Sequence, residues 1–284
     1  MALVLTGLLF LAPARAQELV YPGKVSLWKE ELRPPASTRA DRAVWDKAAK
    51  WSKLQWALYY SEGEVFARLV GSKGDLPQPC PAFYCRGKNV ISGVHFVEVI
   101  DGWLSGAAQT ELGGELRWYN SDGSKTRQIH HGRIVGMIKT QAHLWALEGA
   151  KERGSLGDTL LDITYLGPDK KWQIKPVFQF PQTVFSATVT ASGDMIVILA
   201  DALARYSPVT GEMKMLLKRS SWGPLTPNSC LLSKDEKFLF VGMRQYVIEV
   251  NMETYAVRYL IPLKKLQNKL SELEEEQTRL THGR

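Results

Sequence analysis

Apolar and polar residues alternate along most of this chain from Glu64 onward, and two stretches near the C-terminus repeat one pattern. Residues 190–217 and 233–261 each open with a turn of small and charged residues. An apolar strand follows, Met195–Leu199 in the first copy and 238–241 in the second, and a hairpin closes each copy. Because a period of two is typical of half-buried strands, the copies predict consecutive units of β-structure.

Similar alternation is found upstream of the two copies. The further predicted strands are 64–70, 93–100, 102–105, 115–119, 133–138, 143–147, 160–165 and 172–177. The residues predicted to end the third strand of each unit are Tyr119, Tyr165, Tyr206 and Val250, at intervals of 46, 41 and 44 residues. Repeats of roughly 40 to 45 residues with several short strands are typical of propeller blades. We therefore expect an all-β, β-propeller-like domain of roughly five or six blades over residues 61–263.

The second copy carries a family resemblance. Leu232-Ser-Lys-Asp-Glu-Lys-Phe-Leu-Phe-Val241 and residues 246–262 resemble a blade of the YVTN and WD40-like propeller repeats, in which a Ser-Pro-Asp-Gly-Lys turn precedes the inner strands. Lys234 and Glu236 stand where that turn has Pro and Gly. Such repeats occur in proteins of many unrelated functions, so the resemblance implies an architecture and no particular activity.

Residues 1–16 predict a signal peptide, because an apolar run is followed by small residues at Ala14 and Ala16. No Lys or Arg precedes the run, and a buried N-terminal strand is the alternative. We expect a mature chain that starts at Gln17 in a periplasmic or secreted protein. No later apolar stretch approaches the length of a membrane span, so no integral membrane segment is expected after cleavage.

The segment 17–60 predicts a strand and a helix that pack on the β domain. The strand is expected at 25–28, and a helix capped by Ser37 or Thr38 is expected to run to about Tyr59. Residues 264–284 predict a charged amphipathic helical tail, which either rests on the domain or allows self-association. The leucines that suggest this helix are Leu263, Leu266, Leu270, Leu273 and Leu280.

Charge and cysteine content narrow the classes of partner. The net charge of +7 falls by one when Arg15 is removed, and basic residues usually stand beside acidic ones, so no nucleic-acid partner is expected. Cys80 and Cys85 predict a disulfide in an oxidising compartment. Their separation by four residues disfavours a zinc or redox pair. Cys230 is predicted to be a buried free thiol.

No signature of a nucleophile elbow, dinucleotide fold or phosphate loop is present in the sequence, and no cofactor is expected. His130 and His131 are adjacent, and neighbouring side chains of an extended segment point to opposite faces, which disfavours a shared metal. The competing prediction is a propeller hydrolase or lyase with an axial metal. Its candidate ligands are Glu98, Asp101, Asp162, Asp194 and Asp201.

Connections between blades are expected to lie together on one face, where repeat folds tend to carry function. The candidate binding residues on these connections are His130, His131, Arg133, Phe180, Gln182, Trp222 and Asn228. Trp222, among Ser, Gly and Pro, is predicted to be either an exposed aromatic or a lid over a blade edge. This set of aromatic, amide and basic side chains suits protein or glycan contact better than acid–base chemistry. We therefore predict a non-enzymatic protein that binds a protein partner, for instance an inhibitor, an immunity protein or an envelope scaffold.

Overall fold

The computed structural model describes a large part of the chain. The described residues are 23–30, 52, 54–70, 81–85, 94–108, 114–149, 157–167, 172–218 and 222–262. The predicted signal peptide, the predicted helix up to Trp51, Cys80 and the leucine-spaced tail lie outside them. Among the described residues, no helix has the length and hydrophobicity needed to cross a membrane.

Antiparallel strands dominate the described residues. The strands are β1 (Lys29–Glu30), β2 (Trp56–Ser61), β3 (Glu64–Leu69), β4 (Val94–Val99), β5 (Gly102–Ala107), β6 (Glu115–Tyr119), β7 (Thr126–His131), β8 (Arg133–Lys139), β9 (Leu144–Gly149), β10 (Thr159–Tyr165), β11 (Trp172–Gln179), β12 (Val184–Val189), β13 (Met195–Leu199), β14 (Ala202–Tyr206), β15 (Met213–Lys218), β16 (Ser229–Leu232), β17 (Phe238–Gly242), β18 (Val247–Asn251) and β19 (Val257–Ile261). The helical elements are α1 (Ala82–Cys85) and two 3₁₀ turns, Val25–Leu27 and Gly223–Leu225.

Four sheets, each built from four consecutive antiparallel strands, form the blades of a β-propeller. Blades 1 to 4 consist of β4–β7, β8–β11, β12–β15 and β16–β19, and β1 adds a fifth strand to the outer edge of blade 4. The first strands of successive blades contact one another around the axis. The predicted all-β propeller is confirmed, but the predicted number of blades is wrong. The described chain before Val94 contributes the two-stranded sheet β2–β3 instead of a further four-stranded blade.

The predicted repeat matches the blades closely. Tyr119, Tyr165 and Tyr206 each end the third strand of a blade, and Val250 stands one residue before the end of β18. The strand of the first repeated copy, β13, is buried at every position. A strand covered on both faces shows a continuous apolar run, which is the pattern that Met195–Leu199 carries.

The hydrophobic core consists of layers between neighbouring sheets. Leu104 and Ile163 belong to the layer between blades 1 and 2, and Leu160 and Val197 belong to the layer between blades 2 and 3. Ile198 and Val241 belong to the layer between blades 3 and 4, and Trp56 and Phe240 to the layer between blade 4 and the hairpin. Each blade is thus held mainly by burial against its neighbours, at about 25 cal/mol for each Å² of apolar surface removed from water.

The predictions for the N-terminal segment need two corrections. Residues 25–27 form a 3₁₀ turn instead of an extended segment, and residues 56–59 belong to β2 instead of a helix. The two-residue turn at Glu62 and Gly63 explains why residues 56–59 form a strand of a hairpin; the φ angles of these two residues are 53° and 78°. Positive φ at both central residues is the geometry of a type I′ hairpin turn, which matches the twist of the flanking strands.

A short N-terminal segment, residues 23–30, fastens the hairpin to blade 4. Ala67 N donates to Gly23 O at 3.1 Å, so the beginning of the segment lies along β3. Its end, β1, pairs with β19 in blade 4. Trp28 and Trp56 pack edge to face between the two sheets, with ring centroids 5.0 Å apart.

Antiparallel pairing gives the propeller two distinct faces. The connections from one blade to the next lie on what we call the connection face, and their described residues are 132, 180–183 and 222–228. The turns between the first two strands of each blade lie on the opposite side, which we call the turn face, at 100–101, 140–143, 190–194 and 233–237. The turns between third and fourth strands lie on the turn face as well.

Candidate functional site

Two of the predicted binding residues on the connection face are buried. Phe180 has an exposed fraction of 0% and Trp222 of 1%. The indole Nε1 of Trp222 donates to Leu199 O at 3.0 Å, and the ring belongs to the core between blades 3 and 4. Phe180 packs edge to face on Tyr206. The prediction that Trp222 is an exposed aromatic is therefore wrong, and neither ring is available to a partner at the surface.

The polar candidates on the connection face make contacts within the fold. His130 Nε2 lies 3.0 Å from Glu148 Oε1 and thereby links blade 1 to blade 2, whereas His131 Nδ1 lies 3.3 Å from Gln128 Nε2. The two imidazoles thus have separate partners. Arg133 is exposed at the first position of β8.

The remaining two polar candidates, Gln182 and Asn228, make hydrogen bonds that position loops. The Gln182 side-chain oxygen accepts a hydrogen bond from Asp201 N at 3.3 Å. Asn228 is exposed, and its backbone N donates to Gly242 O at 3.0 Å, which sets the entry of the chain into blade 4. A binding role for these polar residues stays a prediction.

Two of the acidic residues proposed as axial metal ligands make side-chain hydrogen bonds within the fold. Asp101 accepts a hydrogen bond from Trp118 Nε1 at 3.0 Å, and Asp194 accepts one from Arg205 Nε at 2.7 Å. Within the described ranges, no group of three or more His, Cys, Asp or Glu residues is gathered closely enough to hold a metal ion. The axial metal stays a prediction.

The cysteine predictions have different outcomes. Cys230 is a free, buried thiol, as predicted. Burial raises its pKa to about 12, although a hydrogen bond with Ser186 acts in the opposite direction, and the thiol is therefore unreactive at neutral pH. Cys80 lies outside the described residues, and so does the side chain of Cys85, so their disulfide stays a prediction.

An open cleft of about 980 Å³ lies on the turn face and extends across blades 1, 2 and 3. Blade 1 contributes residues 98–100, and blade 3 contributes Tyr206, Pro208 and Val209. Blade 2 supplies most of the lining residues. The lining residues of blade 2 are 139–145, 162–165, Trp172 and Val177. A volume of this size falls within the range of pockets that bind ligands.

Exposed aliphatic side chains surround this cleft. Ile100, in the turn between β4 and β5, has an exposed fraction of 83%, and Val209, in the turn between β14 and β15, has one of 92%. Val177 on β11 is also exposed and lines the cleft. Leu166 is exposed directly after Tyr165, which lines the cleft. The cleft thus has an apolar rim on the blade 1 side and on the blade 3 side.

Aromatic side chains form part of the cleft wall. The rings of Tyr165 and Trp172 lie on paired positions of β10 and β11, with centroids 4.9 Å apart. The buried Nε1 of Trp172 has no hydrogen-bond acceptor among the described residues. The His143 imidazole stacks on Trp145 at 4.9 Å and an interplanar angle of 12°. Thr140 fixes the turn that carries His143, because its N donates to His143 O at 2.8 Å.

Two aliphatic residues in turns are a weak sequence signal for this cleft. Turn positions are usually polar or glycine, whereas Ile100 precedes Asp101-Gly102 and Val209 follows Pro208. An aliphatic residue at such a position has no core to enter and suggests a contact surface. The convergence of the turns of three blades depends on the fold and could not be derived from these positions alone.

Comparison with known proteins supports no activity. No protein-family model matches the sequence, and no curated protein does. A solved structure of a nidogen–laminin complex is similar over 58% of this chain and 60% of that chain, at 12% identity and a TM-score of 0.41. A gluconolactonase from Xanthomonas campestris is similar over 59% and 56% respectively, at 12% identity and a TM-score of 0.40.

A third structure is PorZ, an essential surface component of the type-IX secretion system of Porphyromonas gingivalis. The similarity covers 73% of this chain and 31% of PorZ, at 11% identity and a TM-score of 0.42. In each of these three structures, less than two thirds of the other chain is matched. At this level of similarity, neither an activity nor a partner transfers to the present protein.

Proposed function

We propose that this protein is a non-enzymatic binding protein that takes a segment of a protein partner into the turn-face cleft. The observation that carries the proposal is the arrangement of exposed Ile100, Val177 and Val209 around one cleft of about 980 Å³. Contiguous exposed apolar surface with polar surroundings is typical of protein interaction sites. Covering these side chains would remove apolar surface from water and so favour association.

The proposal keeps the predicted class of function but changes the binding surface. Phe180 and Trp222, the aromatic residues expected to contact a partner from the connection face, are buried between blades. The polar residues beside them could add a second contact area, yet they offer little apolar surface. Hot spots of protein interfaces are enriched in Trp, Tyr and Arg side chains that lie in well-packed pockets. The turn-face cleft has Tyr165 and Trp172 in its wall, beside the exposed aliphatic side chains.

Export forms part of the proposal and rests on the apolar leader in residues 1–16. An exported binding protein could serve as an inhibitor, an immunity protein or an envelope scaffold. Mass spectrometry of the protein purified from its native host tests this part. A chain that starts at Gln17 is expected, and an intact Met1 terminus in the folded protein would remove the argument for export.

A display library of random twelve-residue peptides tests the cleft directly. Peptides selected on the purified protein are expected to bind Ile100→Ser and Val209→Ser at least about tenfold more weakly, because each change removes an apolar contact. Leu27→Ser is the matched control, since Leu27 is a 67% exposed aliphatic side chain away from the cleft. Selected peptides that bind all three variants like the wild type would refute the proposed site.

A further inference from the structure

Among the described residues, three of the four blades carry a carboxylate that is paired with an arginine of the same blade. In each pair a guanidinium nitrogen lies within hydrogen-bond distance of a carboxylate oxygen. The pairs are Glu115–Arg117, Asp194–Arg205 and Glu249–Arg258, with N–O distances of 2.7, 2.6 and 2.6 Å. Pairing of this kind compensates the partial desolvation of a carboxylate that lies on a packed sheet.

Blade 2 departs from this pattern at Asp162. This residue is partly buried on β10, and its Oδ2 accepts a hydrogen bond from Thr164 Oγ1 at 2.9 Å. Within the described ranges, no ammonium or guanidinium group lies within ion-pair distance of Asp162. Lys175 stands opposite Asp162 in the register of β10 and β11, but its side chain remains exposed to solvent. The negative charge of Asp162 is therefore available to a ligand.

The surroundings of Asp162 strengthen its attraction for a positively charged ligand. Its other register partner is Trp145, and Val177 and Tyr206 line the same cleft. Apolar and aromatic walls lower the effective dielectric constant, which increases the attraction between opposite charges. Lys139, which blade 2 contributes to the lining, donates its Nζ to the backbone oxygen of Glu98 at 2.6 Å.

We infer that the cleft selects a peptide segment in which a lysine or arginine side chain, flanked by apolar residues, reaches Asp162. This inference rests on the proposed function and specifies the chemistry of the ligand. The apolar neighbours contact the rim at Ile100 and Val209, and the cation donates hydrogen bonds to the Asp162 carboxylate. A partner segment of this composition matches both the exposed aliphatic rim and the unpaired charge.

Two measurements on the selected peptides test the inference. First, basic residues flanked by apolar ones should be enriched among peptides whose binding depends on Val209. Second, replacing the arginine of such a peptide by neutral citrulline should weaken binding to the wild-type protein by about tenfold, the range of a hydrogen bond to a charged group. This second measurement needs no protein variant.

Protein variants locate the interaction at Asp162. The isosteric change Asp162→Asn should weaken binding of the arginine peptide by about tenfold and leave binding of the citrulline peptide unchanged. Asp235→Asn is the matched control, because Asp235 lies on the turn face in blade 4 and is exposed. Lys175→Gln should leave binding unchanged or strengthen it, since it removes a cation that competes for Asp162.

The outcomes separate this inference from the proposed function. Peptides that depend on Val209 but contain no enriched basic residue, or that bind Asp162→Asn normally, would overturn the charge selection while the binding site stands. Acidic peptides whose binding is weakened by Lys175→Gln would also overturn the charge selection. Peptides that do not depend on Val209 or Ile100 would refute the site itself.

Discussion

The two faces of the propeller use apolar residues in opposite ways. On the connection face, Phe180 and Trp222 lie in loops and are nevertheless buried, whereas on the turn face Ile100 and Val209 lie in loops and are exposed. The difference follows from the paths of the loops. A connection leaves the outermost strand of one blade and enters the innermost strand of the next, so it crosses the core layer between them. A turn stays within one sheet and crosses no core layer, so Ile100 and Val209 remain exposed. Contacts between neighbouring turns are polar, as where Glu236 of blade 4 accepts a hydrogen bond from Ala191 N of blade 3.

The largest expected effect therefore belongs to a residue of the connection face. Trp222→Ala should lower the free energy of unfolding by about 3–5 kcal/mol, because it leaves a cavity in the layer between blades 3 and 4. It also removes the donor to Leu199 O. Denaturant unfolding followed by circular dichroism measures this change. Peptide binding to the turn-face cleft should be unaffected under conditions in which the variant is folded.

Trp222→Phe is the control that separates packing from hydrogen bonding. It keeps most of the apolar volume but leaves Leu199 O without its indole donor, so a loss of about 1–3 kcal/mol is expected. If Trp222→Ala left stability unchanged and reduced partner binding, the connection face would be the binding surface and the comparison between the faces would be reversed.

A smaller effect is expected from His95, which lies near the connection face on β4. Burial lowers the pKa of His95 below its ordinary value of 6.5, and a hydrogen bond with the Val135 backbone partly offsets this shift. The unfolded chain therefore binds a proton more readily than the folded one. The contribution to stability is lost as the pH falls below 6.5 toward the folded pKa.

The measurement is the free energy of unfolding between pH 7.5 and about pH 5 for the wild type and for His95→Gln. Stability of the wild type should decrease on acidification, and the variant should show a shallower decrease, since glutamine does not titrate. His131→Gln is the control because His131 is exposed. Equal slopes for the wild type and His95→Gln would contradict the assignment.

The local pattern of apolar and polar residues predicted the individual strands and their regular spacing. The regular positions of Tyr119, Tyr165 and Tyr206 reflect the fact that every blade repeats the same four-stranded sheet. The helix predicted to reach Tyr59 failed at its end because Ala48, Ser52 and Trp56 are spaced four residues apart, like residues on one face of a helix. The pairing of β2 with β3 through Glu62 and Gly63 overrides that spacing.

Features that depend on neighbouring blades could not be predicted in this way. The burial of Trp222 requires blades 3 and 4 to lie side by side, and nothing in Ser-Trp-Gly-Pro specifies that contact. The cleft requires the turns of three blades to converge on one side. The number of blades was overestimated because the described residues before Val94 have strand-like alternation but supply a two-stranded hairpin.

The smallest effects are expected in the turns of the turn face, where blades 3 and 4 allow a matched test. Gly211 and Tyr255 occupy equivalent positions, since Gly211 N donates to Ser207 O and Tyr255 N donates to Asn251 O, both at 2.8 Å. Their φ angles are 72° and 58°. Only glycine adopts this left-handed conformation without strain.

Gly211→Ala should lower the free energy of unfolding by about 1 kcal/mol through backbone strain alone, because an added Cβ would meet no atom within 4 Å. Tyr255→Gly should raise it by less than about 1 kcal/mol, since relief of strain is partly offset by the greater entropy of glycine in the unfolded chain. Thermal and denaturant unfolding measure both changes. A loss of several kcal/mol in either turn would mean that the turn face is as tightly coupled to the core as the connection face. The exposed rim formed by Ile100 and Val209 would then need a structural explanation instead of a binding one.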